Sequence, residues 1–245
     1  MEAYLSGDGA RAVLVLLLAI GQALMAYWPE LRKWPETIPT RSAKLRNPLV
    51  PIDWAFAIWG PIFAGIAAFA VWQVLPANLD DPLAGRIGGL AIAVFAGNIL
   101  WEAWVPRRGL DWVSVAIIWT ELALLLAVWM IIAGSDQQGW RFWLISAPFQ
   151  LFAGWVSAAV FVNTASTLQR SGIVIGQTLS AAMLLLAAAL GATVAVLTGG
   201  WLYAAALAWA LFGIVIANTA RENHRPVAML AGVLAAAVLA APALA

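Results

Sequence analysis

Eight apolar stretches run through the 245-residue chain, near Ala12–Trp28, Ala55–Leu75, Ile87–Val105, Trp112–Ala133, Phe142–Val162, Ile173–Leu197, Trp201–Asn218 and Pro226–Ala245. A bilayer core about 30 Å thick takes about 20 such residues per crossing helix. The runs are apolar on every side rather than at alternate residues, which predicts helices and excludes a membrane barrel. Composition agrees: 64% of residues are apolar and 10% charged, where soluble domains carry about 25% charged residues. The fold class is therefore an all-α integral membrane protein. The eighth stretch, alanine-rich with Pro242 near its end, is the one whose crossing the sequence leaves open. The first follows Glu2, Asp8 and Arg11 and has no small-x-small cleavage pattern behind it, so a retained helix is expected rather than a signal peptide.

Basic residues set the expected orientation. Arg32, Lys33, Arg41, Lys44, Arg46, Arg107, Arg108, Arg170, Arg221 and Arg225 follow stretches one, three, five and seven, against Arg11, Arg86 and Arg141 on the other side. The positive-inside rule then predicts a cytoplasmic first loop (29–53) and an N-terminus outside, in a membrane of the bacterial inner-membrane type.

Whole classes of chemistry drop out. Cysteine is absent, which removes thiolate zinc sites, iron–sulfur clusters and thiol catalysis. A net charge of +1 offers no basic field for nucleic acid. The single histidine, His224, lies in a charged loop, and both lysines, Lys33 and Lys44, lie outside the apolar stretches. A haem-ligating bundle histidine and a retinal Schiff base are thereby excluded. No zincin, nucleophile-elbow or phosphate-loop motif occurs.

Polar groups inside apolar stretches are costly and are functional candidates by default. They are Asn98, Glu102, Glu121, Gln150, Asn163, Gln177 and Asn218. Helix capping is the expected role of Asn163 and Asn218, and interhelical hydrogen bonding that of Gln150 and Gln177. Glu102 lies close in sequence to Arg107 and Arg108, so a juxtamembrane ion pair is expected there rather than a proton relay. Glu121 falls near mid-bilayer, where function and structural pairing both stand open. Fifteen tryptophans accompany three tyrosines. Those at stretch ends anchor at the membrane interface. Trp59, Trp72, Trp101, Trp119, Trp129, Trp155 and Trp209 fall within stretches, where anchoring explains the deeper ones poorly.

The segment Asn47-Pro48-Leu49-Val50-Pro51-Ile52-Asp53-Trp54-Ala55-Phe56-Ala57-Ile58-Trp59-Gly60-Pro61-Ile62-Phe63 resembles the signature of the TspO/MBR family, the tryptophan-rich sensory proteins related to the mitochondrial translocator protein. Pro51, Trp59 and Phe63 fit the family spacing. The paired prolines are reduced to one, and the intervening aromatic, Trp54 or Phe56, is displaced by one position. Asn98-Ile99-Leu100-Trp101 is similar to the family's third-helix pattern, and Pro148-Phe149 followed by Trp155, Ala159 and Asn163 to its fifth helix, with two extra residues before the tryptophan.

The resemblance implies a TspO-like five-helix bundle over residues 11–170, with about three further transmembrane helices in 171–245. It further implies a pocket roofed by the first loop that binds porphyrins, other tetrapyrroles or similar planar hydrophobic molecules. Trp59, Phe63, Asn98, Trp101, Trp155, Ala159 and Asn163 are the implied ligand-binding residues, with Glu102 and Glu121 as candidate intramembrane carboxylates. Physically, an indole stacks on a conjugated ring, and Ala159, one turn after Trp155, leaves room on the same face. Gly60 and Gly154 could admit close approach in the same way, or simply let helices pack.

No catalytic residue and no required cofactor is expected; a bound porphyrin or haem-like tetrapyrrole would be ligand. Expected partners are membrane lipid, a planar small molecule and, for the oligomer, a second copy in a homodimer. A sensor, carrier or regulator is one reading. A proton-coupled small-solute transporter, a structural subunit or assembly factor of a pigment complex, and an enzyme degrading porphyrin at a pocket tryptophan are the others.

Overall fold

The structure is a computed structural model that describes residues 7–45, 47–220 and 224–245. Among the described residues eight helices are long and apolar enough to cross a membrane: Gly7–Leu31, Asp53–Val74, Pro82–Arg108, Trp112–Ala133, Phe142–Arg170, Gln177–Thr198, Trp201–Ala220 and Arg225–Leu244. They are called spans one to eight. The eighth stretch thus forms a helix of spanning length, and among the described residues every regular element is helical. Arg46 and Arg221, part of the basic-side tally, and Glu2 lie outside the described residues.

Helix boundaries follow local chemistry. Asp81 precedes Pro82 and accepts from the backbone N–H of Leu83 and Ala84 at 3.1 and 2.9 Å, opening span three. Asp111 and Ser114 form a reciprocal capping box that opens span four. Gly199, at φ 62°, supplies the left-handed residue that lets span six turn directly into span seven. Span five begins with a π-helical turn, Phe142–Ser146, just ahead of Pro148. The wider turn accommodates a ring that would clash with the carbonyl four residues back and that lacks an N–H to donate.

Span five is the most deeply buried helix, in contact with spans two, four, six and seven, while span one lies on spans two and three and span eight on six and seven. Residues of all eight spans join one hydrophobic cluster. The contact between spans five and seven is close. A Cβ at Gly154 would run into the Tyr203 carbonyl and come within 2.9 Å of Ala206 Cβ, so Gly154 serves helix packing rather than ligand approach. Tyr203 Oη meets Ser157 Oγ at 2.9 Å, and Gln150 Oε1 accepts from the N–H of Leu202 at 3.1 Å, satisfying an otherwise orphaned donor at the start of span seven. Gln150 therefore bridges helices as expected. Gln177 does not: it is the exposed first residue of span six.

Gly154→Ala is predicted to overpack this contact at a cost of about 1–3 kcal/mol and lower the thermal midpoint of the detergent-solubilised protein. Gly60→Ala, whose Cβ meets nothing within 4 Å, should leave that midpoint unchanged.

Candidate ligand-binding site

Residues 47–52 are non-helical and mostly buried, so their polar backbone must be satisfied by protein. Spans five and seven do this. Asn47 Nδ2 donates to Ser166 Oγ and Gln169 Oε1, both at 3.2 Å, and Asn47 Oδ1 accepts from Leu49 N at 3.0 Å. On span seven the Gly213 carbonyl accepts from Ile52 N at 3.1 Å. Asn218 Nδ2 donates to the Pro48 carbonyl at 2.7 Å, and Trp209 Nε1 to that of Ala55 at 2.9 Å. A Cβ at Gly213 would come within 2.9 Å of Ala55 and 3.0 Å of Pro51, so the loop lies directly on span seven. Asn218 is thus a loop-to-helix tie rather than a simple cap.

Above this segment a short helix, Ile38–Lys44, opens with a capping box of Thr37 and Thr40. Glu36 accepts from Lys44 Nζ and, at 3.2 Å, from Thr40 Oγ1. The Lys44 hydrogen bond, reinforced by the charges of Lys44 and Arg41, holds the Glu36 carboxyl below its ordinary range. A lowered folded-state value stabilises above the ordinary carboxylate pKa, and that stabilisation fades as pH falls through the lowered value.

Beneath the loop lie three adjoining cavities, which share Phe56 and Trp101. The largest, about 140 Å³, is lined by Ala26, Tyr27, Glu30, Ile38, Phe56, Trp59, Phe63, Trp101 and Glu102. A second, about 40 Å³, adds Pro51, Leu110, Trp155, Ala158, Ala159, Val162 and Asn163, and Ala210 and Ile214 of span seven. A third, about 30 Å³, lies between Phe56, Trp59, Asn98, Trp101, Ile118, Glu121, Trp155, Val156 and Ala159. All nine candidate residues from the sequence therefore converge on one region. Its rings are interlocked: Trp59 stacks on Phe63 at 5.0 Å between centroids and meets Trp155 edge-on at 6.3 Å, and Phe56 meets Trp155 edge-on at 5.6 Å.

The polar members have partners other than those expected. Asn163 lies well inside span five and is hydrogen-bonded to Ser114 of the span-four capping box at 3.2 Å, so it joins helices and caps none. Asn98 Nδ2 donates to Gln22 Oε1 of span one at 2.9 Å and to Glu102 Oε1 at 3.2 Å. Glu102 makes no ion pair with Arg107 or Arg108: Arg107 donates to the Ala103 carbonyl and stacks on Trp34, and Arg108 lies over Trp104. Gln22 was missed from the sequence, although an amide inside an apolar run was signal enough. Phe56 carried a signal as one of the two aromatics of the span-two signature, whereas Ala210 and Ile214 had none. Of the remaining in-span tryptophans, Trp129 donates to Thr198 Oγ1 at 3.1 Å across spans four and six, away from the site.

Phe56→Ala is predicted to merge the three cavities, lowering the thermal midpoint while raising acrylamide quenching of the site tryptophans. Glu36→Gln, or acidification through the lowered Glu36 range, should speed amide exchange over residues 38–44 and leave span five unchanged.

Comparison with curated proteins and with solved structures returns no match for the chain. A family model described as TSPO-like protein matches residues 12–244, so the three last helices fall inside the matched region along with the first five. The chain belongs to the TSPO-like protein family.

Proposed function

We propose that this protein is a membrane binding protein, acting as sensor, carrier or regulator, for planar hydrophobic ligands of the tetrapyrrole kind. The observation that carries the reading is the convergence of Trp59, Trp101 and Trp155, from three different spans, on adjoining apolar cavities beneath the first loop. Flat conjugated rings are well served by indole and phenyl walls. The residues fit such a ring in chemistry, whereas cavities of this size fall below the several hundred Å³ usual for ligand sites. Phe56 and Trp101, the residues common to all three, are the partition that must turn aside. Among the described residues no histidine, cysteine or methionine lines the cavities, which favours recognition by stacking over axial metal ligation. Acidic arms of a ligand would meet Arg41 at the loop rim; its Nη2 donates to the Pro106 carbonyl at 3.1 Å, and its Nε has no hydrogen-bond partner. With the basic loop side cytoplasmic, the site opens toward the cytoplasmic half of the membrane.

A proton-coupled transporter is the second reading, favoured by the unpartnered oxygens of Glu102 and Glu121. In that case Glu121→Gln abolishes coupled uptake in vesicles.

Titrating the purified protein with protoporphyrin should quench tryptophan fluorescence saturably. Trp59→Phe with Trp155→Phe should weaken binding by about tenfold or more, equivalent to about 1.4 kcal/mol. Equal affinity in the double variant counts against this pocket.

A further inference from the structure

The three cavities carry one sign of charge. Glu30, Glu102 and Glu121 line them, and among the described residues no lysine, arginine or histidine does. Glu102 and Glu121 are 1% and 2% exposed, yet Glu102 Oε2 and Glu121 Oε1 have no hydrogen-bond partner, and neither has the Trp101 indole N–H between them. Glu102 lies six residues before the end of span three and Glu121 nine after the start of span four, placing them about 9 and 14 Å below the same membrane face. Several described basic groups at that face donate to backbone carbonyls. Arg170 Nη1 donates to the Arg108 and Leu110 carbonyls, Arg41 to that of Pro106, and Arg107 to that of Ala103. Buried carboxyls without a counter-charge are costly in a membrane interior, and among the described residues none makes an ion pair with Glu102 or Glu121. The surrounding walls are Phe56, Trp59, Trp101 and Trp155, whose ring faces attract cations.

We propose that Glu102 and Glu121, which line adjoining aromatic cavities separated by Phe56 and Trp101, form a subsite for a positively charged nitrogen, so that the preferred ligand is a planar lipophilic cationic amine. The ring lies among the indoles while its nitrogen donates to the open carboxyl oxygens. Glu121 also lines a groove of about 280 Å³ on the outer side of spans three and four, beside Gly97 and Thr120. The inference rests on the cavity being a ligand site, and it adds which ligand chemistry the site selects.

The test compares an aminoacridine, a planar monocation at neutral pH, with acridone, a neutral ring of the same size. Both are titrated into the full-length protein in nanodiscs against protein-free nanodiscs, with tryptophan quenching as readout. The aminoacridine should bind about tenfold or more tighter. Glu102→Gln and Glu121→Gln should each remove most of that preference while leaving acridone affinity within about twofold. Glu121→Asp, which keeps the charge, should retain part of it. Equal affinity for the two rings in the wild type, or variants that weaken both rings alike, overturns the subsite. If protoporphyrin fails to bind while the aminoacridine binds with this carboxyl dependence, the subsite stands and the tetrapyrrole reading falls. If protoporphyrin and acridone bind and the amine gains nothing, the reverse holds.

Discussion

Non-helical backbone buried inside a protein survives only where protein groups satisfy its hydrogen bonds, and residues 47–52 are where this chain meets that requirement. The Gly213 carbonyl, the Asn218 amide and the Trp209 indole of span seven, with Ser166 and Gln169 of span five, bond to that segment, or to Ala55 just after it, from two sides. Once it is seated, Pro51, Phe56 and Trp59 have fixed positions over spans three and five, and the aromatic cavities follow. Removing span seven would leave the Pro48 and Ala55 carbonyls and the Ile52 N–H without these partners and would take away one cavity wall, Ala210 and Ile214.

The last helices are for this reason more than an appendage to a five-helix bundle. Span seven is locked to span five at a glycine too close for any side chain and by two buried polar contacts, Tyr203 with Ser157 and Gln150 with the span-seven backbone. Span eight then covers spans six and seven. Beside the first five spans, span seven contributes Ala210 and Ile214 to one cavity and bonds to the first loop.

The spans were legible in the sequence because an apolar run of bilayer length has few other uses, and because Asp81, Asp111 and the Gly199 turn mark where runs break. The site's aromatic residues were legible because Trp59, Trp101 and Trp155 sit at recognisable spacings on separate helices. The polar partners were read less well. Arg107 and Arg108 lie five and six residues after Glu102, about 140° and 120° around the helix from it, so proximity in sequence did not bring the charges together. Asn163 looked like a helix end, but span five continues to Arg170. The support from span seven could not be read at all, since it runs largely through backbone carbonyls whose direction depends on how distant helices pack.

The most direct test of the account is covalent labelling with a planar aromatic photoprobe bound to the full-length protein, followed by mapping of the modified residues. Labels are predicted on residues 56–63 of span two, 98–102 of span three, 155–163 of span five and, distinctively, 210–214 of span seven. Labels confined to spans six and eight, or to the outer surface of spans three and four without any in spans five and seven, would contradict it.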